Sequence, residues 1–188
     1  MLRLNLMTPD WTLFLDRDGV INHEKENDYV LNWNEFQFYD DSLAAIPLLN
    51  RCFQRIVITT NQKGVGKGLM TIEDLQTIHS NMLGSIEAAG GRIDQVYFCT
   101  DLEDASPNRK PQPGMAFQAQ KDFPEINFSK SIMVGNRMSD MQFGRNAGMH
   151  TVYLATTHPE APFPDPQVDL RFTDLLSFAE ACTSMTRR

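Results

Sequence analysis

The feature that most constrains the fold is a mainly apolar run near the amino terminus that ends in two carboxylates. Residues 11–15 form the run, Asp16 and Asp18 follow it, and Gly19 permits a sharp turn directly afterwards. This pattern predicts a buried strand with two acids at its carboxyl end, where ligands bind in an open α/β sheet. A strand that ends in an Asp/Gly turn for backbone reasons alone remains the alternative.

Segments of strand and helix character alternate along the rest of the chain. This alternation predicts one doubly wound, Rossmann-like parallel sheet with helices on both faces. The 188 residues, 41% of them hydrophobic, suit a single domain over residues 1–188 without a large cap, and residues 20–40 are predicted to form a loop or small flap. We predict strands at 11–15, 55–60, 94–99, 131–134, 151–154 and, at an edge, 168–170, helices at 40–52, 71–89, 114–122, 141–149 and 174–182, and a frayed tail at 183–188.

Composition narrows the class of partner and the compartment. The net charge of −7 disfavours nucleic acid, because affinity for a phosphate backbone comes mainly from clustered Lys and Arg. Cys52, Cys99 and Cys182 are widely spaced and predict reduced thiols in the core of a cytoplasmic protein. No apolar run reaches the length of about 18 residues that a membrane span needs, so we expect no membrane association.

The two acids after the first predicted strand also belong to a recognisable motif. The sequence DRDGV at residues 16–20 resembles the first motif of the haloacid dehalogenase (HAD) superfamily of phosphotransferases. A carboxylate can attack a phosphoryl group to form an acyl phosphate, and an acid two residues later can protonate the leaving oxygen. The resemblance makes Asp16 the nucleophile and Asp18 the acid and base, and we count Arg17 among the substrate-binding residues.

A second stretch follows the second predicted strand. TNQKGVGKG at residues 60–68 resembles the pattern TNQxGxxxG, which is typical of the subgroup that contains histidinol phosphatase and D-glycero-D-manno-heptose 1,7-bisphosphate phosphatase. The phosphatase domain of polynucleotide kinase/phosphatases shares this pattern. Neutral donors at a strand end and glycine N–H groups suit phosphoryl oxygens. We therefore predict Thr60, Asn61, Gln62 and Lys67 as substrate-binding residues.

Two later stretches resemble the third and fourth motifs. RKPQPGM at 109–115 makes Lys110 the residue that neutralises the nucleophile and the phosphoryl group, while Arg109 suits a distal phosphate or sugar hydroxyl. GNRMSD at 135–140 resembles GDxxxD, with Asn136 where the family has an aspartate that binds magnesium. The predicted magnesium ligands are Asp16, Asp18, Asn136 and Asp140, and the uncharged amide predicts a weaker metal site.

The loop before Arg109 departs from a frequent feature of this subgroup. Many relatives carry a Cys/His zinc cluster there. In residues 99–109, however, Cys99 is the single Cys or His, and tetrahedral zinc needs four ligands, so we predict no zinc. The resemblance as a whole implies a magnesium-dependent phosphomonoester hydrolase that acts on a small phosphorylated metabolite, with a sugar bisphosphate as the nearest candidate, through an aspartyl-phosphate. The alternatives are a polynucleotide 3′-phosphatase, which needs a basic groove, and a catalytically weakened phosphate-binding protein, which Asn136 favours.

Overall fold

Parallel strands form one open sheet in the computed structural model, which describes residues 2–186. The strand order is β3-β2-β1-β4-β5-β6, so β1 lies in the middle and the chain changes direction on either side of it. This arrangement confirms the predicted fold class. The strands are β1 (Thr12–Leu15), β2 (Arg55–Asn61), β3 (Gln95–Cys99), β4 (Ser131–Gly135), β5 (His150–Leu154) and β6 (Leu170–Phe172).

Helices cover both faces of this sheet. They are α1 (Ser42–Leu49), α2 (Lys63–Gly66), α3 (Ile72–Ala88), α4 (Gly114–Asp122), α5 (Met138–Ala147) and α6 (Leu175–Thr186). Successive side chains of a strand point to opposite faces. Leu13 and Leu15 accordingly pack in the core beneath α1, α3 and α6, whereas Phe14 packs on the other face with α4 and α5. The three cysteines are buried, as predicted.

The sequence pattern predicts α3 well. Thr71 Oγ1 accepts a hydrogen bond from Asp74 N at 3.1 Å, and Asp74 Oδ2 accepts one from Thr71 N at 2.8 Å, which completes a capping box. Leu75, Ile78 and Met82 recur at helical spacing and are buried. No helix in the described part of the chain is both long and apolar enough to cross a bilayer.

The glycine-rich stretch after β2 is regular in part, because residues Lys63–Gly66 form one helical turn. Lys67 N donates to Lys63 O at 2.9 Å, and the turn ends at Gly68, whose φ of +69° lies in the left-handed region. Glycine lowers helix propensity but does not prevent a single turn that is closed by a left-handed residue. The backbone at this strand end is therefore more regular than the sequence indicates.

Boundaries near the carboxyl end also differ. The edge strand is Leu170–Phe172 rather than 168–170, because the Asp169 carboxylate accepts a hydrogen bond from Thr151 N at 3.1 Å. The predicted fraying from residue 183 is wrong up to Thr186, since α6 continues to that residue. Residues 187 and 188 of the predicted tail lie outside the described residues. At α5, Asp140 Oδ2 accepts from Arg137 N at 3.0 Å, which starts the helix at Met138 rather than 141.

Candidate active site

A cleft of about 610 Å³ opens at the carboxyl ends of the central strands. This is the edge where an α/β sheet binds ligands, because β1 is the strand at which the topology changes direction. Residues from all four motif stretches line the cleft. They include Asp16, Asp18, Thr60, Asn61, Arg109, Lys110 and Asp140, together with Glu24, Tyr29, Lys63, Asp104 and Arg137.

Lys110 joins the two sides of the cleft. Its Nζ lies 2.9 Å from Asp16 Oδ1 and 2.6 Å from Asp140 Oδ1, and its side chain is 2% exposed. Burial alone lowers the pKa of Lys110, but the charges of Asp140 and Asp16 outweigh it and the pKa is raised. An ammonium group buried between two carboxylates therefore remains charged.

Asn61 fixes the backbone that carries this lysine. Its Nδ2 donates to Lys110 O at 3.1 Å, and its Oδ1 accepts from Lys110 N at 3.0 Å. The side chain of Asn61 thus pairs with the Lys110 main chain much as a neighbouring strand would. Although Asn61 lines the cleft, both ends of its amide are engaged in holding Lys110.

Asp16 sits at the base of the cleft and is 7% exposed. Its Oδ1 also accepts a hydrogen bond from Arg17 N at 2.7 Å. Burial, followed by the charge of Asp140, raises the pKa of Asp16 to about 7, and Lys110 opposes this rise. The predicted role of Asp16 as nucleophile requires its ionised form, so this role calls for positive charge in addition to Lys110.

Asp18 is held by neutral and cationic donors. Its Oδ1 accepts from Arg17 Nη2 at 2.8 Å and from Asn22 Nδ2 at 2.9 Å, while its Oδ2 accepts from Gln62 Nε2 at 2.9 Å. Burial raises the pKa of Asp18, but Arg17 and these hydrogen bonds outweigh it and the pKa is lowered. The Gln62 amide also donates to Thr60 Oγ1 at 2.9 Å. Gln62 therefore joins Asp18, after β1, to the end of β2.

Three of the predicted substrate-binding residues lie outside the cleft lining: Arg17, Gln62 and Lys67. Arg17 is 1% exposed, and its Nη1 lies 3.2 Å from His79 Nε2 on α3. Lys67 is exposed, and its Nζ lies 5.0 Å from the centre of the Tyr29 ring. Arg17 and Gln62 contact Asp18 rather than the open cleft, and Lys67 contacts the flap.

Arg109 remains in the cleft lining together with a carboxylate neighbour. Its Nε lies 3.1 Å from Asp104 Oδ1, and Lys63 Nζ approaches the same oxygen at 3.4 Å. Asp104 is 85% exposed, so water screens these two ion pairs strongly. A phosphate group in place of the Asp104 carboxylate would contact the cationic side chains of Arg109 and Lys63.

Asn136 is fully buried directly after β4, beside Gly19, and lies behind the residues that line the cleft rather than among them. Its Nδ2 donates to Thr157 Oγ1 at 3.0 Å and to Glu24 Oε1 at 3.3 Å. Its Oδ1 is buried without a hydrogen-bond partner among the described residues. A buried oxygen without a donor is rare, and an amide oxygen is a ligand type that magnesium accepts.

The predicted metal ligands are therefore not equivalent. Asp140 Oδ1 is paired with Lys110 and its Oδ2 with Arg137 N, and both Asp18 oxygens accept hydrogen bonds. Within residues 2–186, no three His, Cys, Asp or Glu side chains form a cluster that suits a metal ion. Of the four predicted ligands, Asp16 and Asn136 have the side-chain oxygens least occupied by other partners within residues 2–186, which makes them the candidates for a hard cation.

Sequence reasoning does not single out Glu24, although its carboxylate reaches the site from the flap. Its Oε2 lies 2.9 Å from Arg137 Nη2, and its Oε1 reaches Asn136. Residues 20–40 carry no helical or strand period, so no signal in the sequence identifies which flap side chain turns inward. The same holds for Asn22, which donates to Asp18 but lies just outside the motif at residues 16–20.

We expect Gly19→Ala to destabilise the protein. Gly19 has φ of +84°, and a Cβ there would stand 1.9 Å from Asn136 Nδ2. Left-handed strain and overpacking together predict a loss of about 2–4 kcal/mol in the free energy of unfolding, measurable by urea denaturation followed by circular dichroism. The matched control is Gly84→Ala on α3, where nothing lies within 4 Å of the new Cβ. This control should leave stability unchanged or raise it, and an equal loss in both variants would contradict the argument.

Similarity to known proteins agrees with this geometry. A family model described as HAD-hydrolase-like matches residues 107–162. The D-glycero-alpha-D-manno-heptose-1,7-bisphosphate 7-phosphatase of Mycobacterium bovis is 33% identical over 172 residues, which cover 91% of this chain and 90% of the relative. The D-glycero-beta-D-manno-heptose-1,7-bisphosphate 7-phosphatase of Yersinia pestis is 35% identical over 153 residues, covering 77% of this chain and 80% of the relative.

Solved structures give the same result. The D,D-heptose 1,7-bisphosphate phosphatase of B. bronchiseptica, complexed with magnesium and phosphate, superposes with a TM-score of 0.83 at 26% identity, covering 93% of this chain and 98% of the other. The enzyme of Burkholderia thailandensis superposes with a TM-score of 0.68 at 29% identity, covering 92% and 97%. The chain belongs to the haloacid dehalogenase superfamily and, within it, is a phosphatase of the histidinol phosphatase and heptose bisphosphate phosphatase-like subgroup.

Proposed function

We propose that this protein is a magnesium-dependent phosphomonoester hydrolase whose substrate is a small sugar bisphosphate. The observation that carries the proposal is the buried Lys110 ammonium, which joins Asp16 and Asp140 in the cleft. Such an arrangement supplies one nucleophilic carboxylate and a fixed positive charge beside it. The relatives named as heptose bisphosphate 7-phosphatases support the choice of a sugar bisphosphate.

The chemistry proceeds through two displacements. In the first, an Asp16 oxygen attacks phosphorus, the ester P–O bond breaks, and Asp18 gives a proton to the leaving oxygen. In the second, water loses a proton to Asp18 and attacks the acyl phosphate, which releases inorganic phosphate and restores the Asp16 carboxylate. Lys110 stays charged throughout and offsets the negative charge of the phosphoryl oxygens. Asp16 and the Asn136 oxygen would hold a magnesium ion, which supplies further positive charge when bound.

Asp18 has to be protonated before the first displacement. The donors around it lower its pKa, which suits the second step, where it accepts a proton from water. A phosphate dianion bound beside Asp18 raises the pKa of this carboxyl, because a neighbouring negative charge disfavours ionisation. We therefore propose that Asp18 takes up its proton in the substrate complex rather than in the free enzyme.

The function is tested by phosphate release from D-glycero-D-manno-heptose 1,7-bisphosphate with magnesium and with a chelator. A 3′-phosphorylated oligonucleotide and a generic aryl phosphate serve as competing substrates. Metal-dependent turnover that is greatest on the sugar bisphosphate supports the proposal. Preference for the oligonucleotide would identify a polynucleotide 3′-phosphatase, and an absence of metal-dependent turnover on every substrate would identify a phosphate-binding protein.

We propose that Arg109 and Lys63 bind the phosphate that is not hydrolysed, in place of Asp104. Arg109→Gln should raise KM for the sugar bisphosphate about 10–100-fold, since a charge-assisted hydrogen bond contributes about 1.5–3 kcal/mol. KM for an aryl monophosphate should change little, because that substrate has no second phosphate. Arg51→Gln provides the control, since Arg51 is exposed and lies outside the cleft lining. An equal change for both substrates would contradict this placement of Arg109.

A further inference from the structure

The orientation of the Asn136 side chain is the starting point. An amide has two donors on nitrogen and two lone pairs on oxygen. In Asn136 the nitrogen faces Thr157 Oγ1 at 3.0 Å and Glu24 Oε1 at 3.3 Å, and the oxygen is buried without a partner within the described residues. The hydrogen-bond network thus leaves the oxygen as the unsatisfied end of this amide, the end that a buried cation would complete.

Glu24 decides which way this amide points. A threonine hydroxyl can donate or accept, so Thr157 tolerates either end of the amide. An ionised carboxylate only accepts, so a flipped Asn136 would set its oxygen against Glu24 Oε1 with no hydrogen between them. Glu24 therefore excludes the flipped state.

The carboxylate of Glu24 is itself fixed in place. Its Oε2 accepts from Arg137 Nη2 at 2.9 Å and from Arg137 Nε at 3.3 Å, and its side chain is 10% exposed. One oxygen is thus held by Asn136 and the other by the next residue along the chain. The flap and the turn after β4 are joined at this point.

We infer that Glu24 is a positioning residue for the metal site, which holds the Asn136 amide so that its carbonyl oxygen is presented to the cation. This inference rests on the proposed magnesium dependence. It also gives a physical reason for an amide at position 136, because an aspartate there would place a second carboxylate against Glu24. Two carboxylates at this distance repel each other unless a proton or a cation lies between them.

A positioning role for Glu24 predicts a different effect of Asn136→Asp on magnesium affinity than the formal charge of residue 136 does. If charge alone determined affinity, Asn136→Asp would strengthen magnesium binding in any background. With Glu24 present, we expect the new carboxylate to be repelled, so that Asn136→Asp leaves affinity unchanged or lowers it. With Glu24→Gln, the amide nitrogen of the new glutamine can donate to the new carboxylate, and the same substitution should then strengthen binding.

The test is a double-mutant cycle read by magnesium binding to the metal-free protein in isothermal titration calorimetry. Glu24→Gln alone should weaken binding about 10-fold, which is the lower range for loss of a residue that orients a metal ligand. The combination of Glu24→Gln with Asn136→Asp should bind at least about 10-fold more tightly than Asn136→Asp alone. Thermal unfolding of all four proteins without metal checks that each is folded.

Glu26→Gln is the matched control, since Glu26 is exposed on the same flap and outside the cleft lining, and its affinity should equal that of the unmodified protein. Tighter binding by Asn136→Asp alone, or additive effects in the cycle, would overturn the inference while leaving the proposed function intact. An unmodified protein that binds no magnesium would overturn both.

Discussion

Asp16→Asn is expected to lower kcat for phosphate release by about 10⁴-fold or more, because an amide does not displace the leaving group from phosphorus and losses of this size follow removal of a nucleophile. The fold should survive, since the amide oxygen of the new side chain can still accept from Arg17 N and face Lys110. Steady-state assays under saturating magnesium measure the loss. Residual turnover close to that of the unmodified enzyme would exclude Asp16 as the nucleophile.

The same variant has an expected effect on stability that separates it from a misfolded protein. Lys110 is a single cation between two carboxylates, so the buried cluster has a net charge of −1 when both carboxylates are ionised. Asp16→Asn removes that net charge, and the midpoint of thermal unfolding without metal at pH 8 should rise rather than fall. Asp41→Asn, at an exposed position that makes no side-chain cap bond, should leave the midpoint unchanged. Loss of activity with a raised midpoint is the combined result that identifies a catalytic carboxylate.

Lys110→Met is expected to be the most destabilising substitution at the site. It leaves Asp16 and Asp140 buried without the cation that both contact. Removal of one partner from a buried ion pair costs about 3–5 kcal/mol, because the remaining charge is uncompensated. Phosphate release should fall as well, since the phosphoryl group loses its fixed positive charge.

The size of this destabilisation should depend on pH in a defined direction. Asp16 already has its pKa raised to about 7, and loss of Lys110 raises it further. A carboxyl with a raised folded pKa favours the folded state when protonated, so the variant loses stability as pH rises above the usual carboxyl range. Urea unfolding should therefore show a larger difference between the variant and the unmodified protein at pH 8 than at pH 5.

A surface pair provides the control for Lys110→Met. Lys130 Nζ lies 2.7 Å from Asp10 Oδ2, with both side chains about half exposed. Lys130→Met should change the free energy of unfolding by less than about 1 kcal/mol at either pH, as exposed ion pairs contribute little. Equal losses in the two variants would contradict the role assigned to burial.

The sequence predicts most of the fold and the meeting of its motif residues, because both depend on local patterns. Apolar runs that end in Asp16 and Thr60 identify strands, and the carboxyl ends of adjacent parallel strands share one edge. Alternation along β1 also bears on the residue after Asp16. Since neighbouring residues point to opposite faces, Arg17 is expected to face away from Asp16, and the structure places it against His79.

Other features of the site depend on contacts that no local pattern encodes. The Asn61 amide bonds to the main chain of Lys110, and Glu24 reaches the turn after β4 from a loop without periodicity. Both contacts join segments far apart in the chain, and each depends on a side-chain rotamer. The one-turn helix α2 and the extension of α6 similarly follow from tertiary context, which commonly overrides weak intrinsic propensity.

The position of β1 between β2 and β4 also affects when a newly made chain becomes active. Asp16 leaves the ribosome early. In contrast, β4, which pairs with β1, and α5, which supplies Asp140, are synthesised much later. Until β4 and α5 dock, Lys110 has no second carboxylate and the cleft lacks the side that Arg137 and Asp140 line. If Lys110 and Asp140 have the roles proposed above, we expect an incomplete chain on the ribosome to be inactive, and turnover to begin only after the central sheet has closed.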